Sequence, residues 1–121
     1  MNNKRTLVIG ASSNPARYSY LAVHSLLKHN FEVVALAKRN DEVAGIPIIT
    51  LFPENEKIHT VTLYIGPHWQ TEYYQKIIQL NPKRVIFNPG TENDEFAQML
   101  QKQNIETLEA CTLVLLSTGQ Y

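Results

Sequence analysis

The chain has 121 residues, 11 basic and 11 acidic side chains, and a formal net charge of zero. That length makes one domain, here residues 1–121, and a hydrophobic content of 44% supplies a core without disulfides or metal. Balanced charge excludes a global field for nucleic acid or an anionic membrane surface, no apolar run is long enough to cross a bilayer, and no Cys/His set has metal-ligand spacing.

Met1-Asn2-Asn3-Lys4-Arg5 leads straight into the first apolar run, which leaves no room for a signal peptide. The single cysteine, Cys111, fits a reducing, cytoplasmic setting. Leu7, Val8 and Ile9 read as a buried first strand that stops at Gly10. Ala11, Ser12, Ser13, Asn14 and Pro15 follow as a tight turn, and residues 17–29 read as a helix with Leu21, Val23, Leu26 and Leu27 as its buried stripe. In an open parallel sheet such a turn receives an anionic ligand, because the helix start carries unpaired N–H groups and the positive end of the dipole. Gly10 lets the main chain approach a phosphate closely. A dinucleotide fingerprint would be G-x-G-x-x-G; here Ser12 and Pro15 stand at the second and third glycine positions. The plain alternative is an ordinary turn capped by Ser12, Ser13 or Asn14.

Asn30 is placed to end the helix in a left-handed conformation. Residues 31–37 form a second strand, apolar on both faces through Val33, Val34, Ala35 and Leu36. It ends at Lys38-Arg39-Asn40-Asp41. In doubly wound nucleotide-binding folds that strand end meets the adenosine ribose, where an acid bonds free hydroxyls and a base accepts a ribose phosphate. Lys38 and Arg39 therefore point to a phosphorylated ribose, as in coenzyme A or NADP. Asp41 argues the other way if a longer turn presents it, and a solvated charged loop is the simple alternative.

Residues 43–50, with Gly45 and Pro47, read as a loop with a short extended piece, and 51–57 as one helical turn. Residues 60–65 make the third strand, stopped by Gly66-Pro67. His68 is expected in the following loop and Trp69 packed on the helix of residues 71–80, whose core candidates are Ile77, Ile78 and Leu80. Trp69, Tyr73 and Tyr74 serve either that core or an interface, with a second copy or a protein partner. Residues 84–88 form the fourth strand. Asn88-Pro89-Gly90-Thr91-Glu92-Asn93 then turns into a helix over 94–103 with Phe96, Met99 and Leu100 on its apolar face. Glu92, Asp94 and Glu95 suit that helix start but repel phosphate, so this turn fits a neutral part of a ligand or is plain acidic capping. Residues 105–108 are a short fifth strand. The apolar run 112–117 is read as a closing helix, although its length does not separate helix from strand. The expectation is an α/β, doubly wound sheet of five parallel strands in the order 3-2-1-4-5.

Taken together the turns resemble one family. Gly10-Ala11-Ser12 with Pro15, Arg17, Tyr18 and Tyr20 is similar to the G-A-S-x-x-P-x-R-Y-x-Y opening of small bacterial CoA-binding domain proteins of Rossmann-like fold. Ser19 departs from that family's usual glycine. Asn88-Pro89-Gly90-Thr91-Glu92-Asn93 resembles its P-G-x-E-N turn, and Glu109-Ala110-Cys111-Thr112 its cysteine-containing final turn. The resemblance implies coenzyme A or an acyl-CoA across the strands' carboxyl ends. Gly10, Ala11 and Ser12 would line the diphosphate and Arg17 would reach phosphate. Lys38 and Arg39 would hold the 3′-phosphoadenosine end. Ile65, Gly66 and Pro67 would edge the adenine or pantetheine path, and Asn88, Pro89, Gly90 and Glu92 would flank the pantetheine arm. Larger relatives, the acyl-CoA synthetases and succinyl-CoA ligases, carry catalytic partner domains; no catalytic residue or metal is implied here. Three other readings stay open: a small NADP-dependent oxidoreductase or NADP-binding regulator, a mixed disulfide between Cys111 and CoA, and an interaction module that has lost its ligand.

Overall fold

A computed structural model describes residues 4–121. Met1, Asn2 and Asn3, read above as part of the lead into the first strand, lie outside them. Leu7, Val8 and Ile9 are each at most 1% exposed, so β1 (Thr6–Ile9) is covered on both faces, as a central parallel strand is. Alternation sends Leu7 and Ile9 to one layer and Val8 to the other.

The chain then runs through α1 (Tyr18–Lys28), β2 (Val33–Leu36), β3 (Asp41–Val43), β4 (Ile46–Ile49) and β5 (Thr60–Leu63). It continues with α2 (Pro67–Gln70), a 3-10 turn (Thr71–Tyr73), α3 (Tyr74–Leu80), β6 (Arg84–Phe87), α4 (Asp94–Lys102), β7 (Glu106–Glu109) and α5 (Thr112–Ser117). On one face, Val8, Ala35 and Ile86 pack with Val23 and Leu26 of α1 and Leu116 of α5. On the other, Leu7, Val61, Val85 and Phe87 pack with Tyr73, Tyr74 and Ile77, and with Phe96 and Leu100 of α4.

The sheet corrects the expected count and order. It has seven strands in the order β3-β4-β2-β1-β5-β6-β7. Among the five strands read from the sequence, the third (β5) pairs with β1, so their order is 2-1-3-4-5 rather than 3-2-1-4-5. The place outside β2 is taken by β4, from the stretch read as a loop. Ala44 and Gly45 have φ of 52° and 82°, a two-residue hairpin turn of the primed kind that matches strand twist. Pro47 sits opposite Glu42, and the ladder to β2 starts only at Ile48, so the missing Pro47 N–H interrupts no pairing to β2. β3 runs antiparallel to β4; every other pairing is parallel.

Other departures are local. Residues 51–57 turn without forming a helix. The buried stripe of α1 is Ser19, Ala22, Val23 and Leu26, while Leu21 is 43% exposed; three- and four-residue spacing from Val23 and Leu26 leaves Leu21 on the flank. His68 and Trp69 lie in α2, which starts with Pro67 at its first position. Tyr73 and Tyr74 are core, but Trp69 is 60% exposed. Asn30, Asn81 and Asn104 take positive φ just after α1, α3 and α4, so asparagine ends all three helices by the same left-handed device. No helix among the described residues is long and apolar enough to cross a membrane.

At the amino edge of the sheet, Arg84 is buried. Its Nε donates to Thr60 Oγ1 at 2.8 Å, and its guanidinium lies 4.4 Å from the Tyr121 ring centroid. His59 lies beside this cluster. Burial first, then the charges of Arg84, Lys4 and Lys83, hold its imidazole below the ordinary value of 6.5. The folded state therefore favours neutral His59, and its share of stability is present above the unfolded value and lost as pH falls. The urea midpoint is expected to drop between about pH 7.5 and pH 5.5, and to drop less in His59→Gln. An equal drop in both proteins removes His59 from the account.

Candidate functional site

The carboxyl ends of β1, β2, β5 and β6 open onto one rim, and β1 sets its centre. Gly10 has φ of +92°, and a Cβ there would stand 2.9 Å from Ile65 Cγ2 and 3.0 Å from the Tyr64 carbonyl oxygen. Only glycine fits between the β1 turn and the β5 turn. The Gly10 and Ala11 N–H groups both donate to Leu36 O, at 2.9 and 3.1 Å. They are spent on joining β1 to β2. The N–H groups of Ser12 and Ser13 have no such partner among the described residues, so the donors open to a ligand lie just past the glycine.

Ser12 borders the cleft before the start of α1, and Ser12 and Ser13 both border the one beside Arg39. The N-cap of α1, Arg17, makes no capping bond, and the first turn holds no acid, so the positive helix end is unanswered. Ser12, Arg17, Tyr18, Tyr64, Ile65 and Pro89 line a cleft of about 460 Å³ in front of it. The start of α4 is the opposite case. Asn93 accepts from the Phe96 N–H at 3.1 Å, and Asp94 and Glu95 occupy the first turn. That helix end is closed to anions.

Lys38 and Arg39 do not act side by side. Successive residues of an extended strand face opposite ways, and β2 carries Leu36 on one layer and Ala35 and Ala37 on the other. Arg39 follows Ala37 into a second cleft, about 340 Å³, with Ser12, Asn14, Arg17 and Asp41. Asp41 is presented there after all. Its Oδ2 accepts from Ser13 Oγ at 2.6 Å and its Oδ1 from the Glu42 N–H at 2.8 Å. The Ser13 bond, then the Glu42 bond, keep its carboxyl below the usual carboxylate value. Lys38 turns to the other side and pairs with Glu72, Nζ to Oε1 2.5 Å. This hydrogen bond raises the Lys38 ammonium above its ordinary value. Lys38 lines a third cleft of about 320 Å³, an apolar slot walled by Ile9, Gly10, Ile65, Trp69 and Tyr73.

A fourth hollow, about 240 Å³, is lined by Tyr18, Tyr64, Asn88, Pro89, Cys111 and Leu113. It shares Tyr18, Tyr64 and Pro89 with the cleft before α1, so the two adjoin. The Tyr64 hydroxyl is buried without a hydrogen-bond partner among the described residues, and burial pushes its phenol well above its ordinary value.

Beneath the rim runs a buried polar network. Asn88 donates from Nδ2 to Thr62 Oγ1 at 2.7 Å and to Leu63 O at 2.8 Å. Its Oδ1 accepts from the Thr112 N–H at 2.9 Å. Gln70 donates to Ile65 O and Thr91 O at 2.9 and 2.8 Å and accepts from Asn93 Nδ2 at 2.9 Å.

Of the residues singled out from the sequence, Gly10, Ala11, Ser12, Arg17, Ile65 and Pro89 meet at the cleft before α1. Lys38 and Arg39 stand on either side of it. Asn88 lies under the rim, 2% exposed. Gly66 and Pro67 begin α2, and the Gly90 N–H donates to Glu92 Oε1 at 2.9 Å within its own turn; none of these four residues lines the clefts described. Tyr64, Glu72 and Gln70 were not singled out. No local pattern marks them; a helical glutamine ordinarily reads as solvent-facing.

A parallel sheet wound on both faces, with an uncapped helix start over its carboxyl rim, is the architecture of nucleotide-binding domains. The chain belongs to the CoA binding domain family, which matches residues 4–117. A crystal structure of an uncharacterized protein is 45% identical over 100% of both chains, with a TM-score of 0.96. A hypothetical protein from Pyrococcus horikoshii OT3 is 25% identical over 95% of this chain and 82% of its own, with a TM-score of 0.85. A conserved hypothetical protein from Pyrococcus furiosus, 24% identical over 92% of this chain and 97% of its own, has the same fold with a TM-score of 0.79. No curated protein matches the chain.

Gly10→Ala is expected to cost about 1–3 kcal/mol, because it forces a side chain onto backbone at a positive φ. Asn88→Ala leaves buried partners unpaired and is expected to cost at least about 1–3 kcal/mol. Urea denaturation measures both; a change within about 0.5 kcal/mol, the range of neutral surface substitutions, contradicts the structural role assigned.

Proposed function

We propose that residues 1–121 form a module that binds coenzyme A or an acyl-CoA, with binding rather than a reaction as its role. The observation that carries this is the uncapped, acid-free start of α1 facing a cleft with two apolar hollows bordering it. The ligand has the same layout. Its diphosphate suits the Ser12 and Ser13 N–H groups, the α1 start and Arg17. Its adenine suits the flat slot of Ile65, Trp69 and Tyr73. Its neutral pantetheine arm suits the hollow between Tyr18, Pro89 and Leu113. The 3′-phosphate falls at the end of β2 near Arg39, while Asp41 in the same cleft accepts the free 2′-hydroxyl. Family membership supports the ligand class. A lone, half-buried Cys111 suits a cytoplasmic setting.

NADP also carries a ribose with one phosphate and one free hydroxyl, so the Arg39 and Asp41 pairing serves it equally. The narrow apolar hollow by Leu113 favours the slim pantetheine arm over a second nucleoside. Calorimetric titration with CoA, 3′-dephospho-CoA and NADPH separates the readings. CoA is expected to bind most tightly. Arg39→Ala is expected to weaken CoA about 10-fold or more, the scale of one charge-assisted hydrogen bond, and to spare 3′-dephospho-CoA. Equal affinities for CoA and its dephospho form reject the ribose-phosphate role of Arg39, and preference for NADPH rejects CoA as ligand.

A further inference from the structure

We propose that Lys38 and Glu72 together read the edge of the ligand's base and make the apolar slot selective for adenine over guanine. The inference rests on the CoA reading above, which seats the base in that slot, and goes past it to the residues that choose the base. Glu72 lies in the 3-10 turn between α2 and α3, and Lys38 directly follows β2. Folding brings them together, Lys38 Nζ to Glu72 Oε1 2.5 Å. The pair stands at the slot, because Lys38 lines it and its ammonium sits 5.3 Å from the ring centroid of Tyr73, a wall of the same slot.

Among the described residues, Lys38 is the only charged one that lines the slot; Ile9, Gly10, Ile65, Trp69 and Tyr73 make the rest. Apolar walls take the flat faces of a base. Its edge carries donors and acceptors, which are costly to leave unpaired. The ion pair offers one of each side by side: an ammonium N–H of Lys38 and a carboxylate oxygen of Glu72, each with capacity for a further bond. Adenine presents the matching set, an amino group that donates next to a ring nitrogen that accepts. Guanine has a carbonyl oxygen where adenine has the amino group, so in the same seat two acceptors face each other. The two side chains are 65% and 47% exposed. An exposed pair of this kind is weakly held, so both groups turn toward a base at little cost. The ribose seat at the end of β2 fixes which edge of the base meets them.

The test is displacement of bound CoA by adenosine 3′,5′-bisphosphate and by guanosine 3′,5′-bisphosphate, followed by calorimetry on the full chain as wild type, Glu72→Ala, Lys38→Met and the double variant. The wild type is expected to bind the adenosine compound about fivefold or more tighter, the lower end for a two-point base contact. Glu72→Ala and Lys38→Met are each expected to bring that ratio close to one. The double variant is expected to move it no further, because the two groups act as one reader. The proposal falls if the wild type shows no preference, if neither compound displaces CoA, or if the preference survives Glu72→Ala. Absence of CoA binding by the wild type rejects the CoA reading itself and this inference with it; CoA binding with equal displacement by the two compounds rejects the base reader alone.

Discussion

One buried amide holds the rim in shape. Asn88 follows β6, and its side chain reaches β5 on one side and the start of α5 on the other through Thr62, Leu63 and Thr112. Its amide donors and its carbonyl are engaged in a site that water does not reach, so each bond is strong and each loss is costly. Gln70 does similar work one turn away, joining the β5 turn to the loop after β6. The loops that line the clefts are thereby fixed to the sheet and to one another. A rim this rigid offers its open donors in a set geometry, which lowers the ordering cost of binding.

That rigidity gives meaning to what is left unpaired. The start of α1 has no cap and no acid, while α4 has both. Both helices begin at the same edge of the same sheet, so the dipole argument applies to both and only one remains available. The difference lies in a few side chains: Asn93, Asp94 and Glu95 at one helix, Arg17 and Tyr18 at the other. Electrostatics and hydrogen bonding thus leave the start of α1 receptive to an anion and close that of α4.

The strand cores and the helix ends were legible in the sequence because they follow from local pattern. Leu7-Val8-Ile9 is apolar without a break, and Asn30 marks the end of α1. The hairpin of β3 and β4 was not legible, since Gly45 and Pro47 carry the composition of a loop and only pairing to β2 makes a strand of residues 46–49. Missing that strand misplaced β5, because strand order is a matter of which partner wins and not of the strand's own residues. Within the site, Gly10, Ser12 and Arg17 came from a turn motif contiguous in sequence. Asn88 came from a motif as well; it borders the fourth hollow and also braces the rim through its buried hydrogen bonds.

The sequence by itself determined the alternation of strands and helices, the glycine at the β1 turn, the cations at the end of β2 and the family to which these turns are similar. Each is a property of neighbouring residues or of short spacings. Only the tertiary structure decided that Lys38 and Arg39 part company, that Glu72 meets Lys38 across 34 positions, that Asp41 enters the cleft of Arg39, and that the Gly10 and Ala11 amides are already spent. These depend on side-chain alternation at a strand end and on contacts between segments distant in the chain, and no local pattern encodes either.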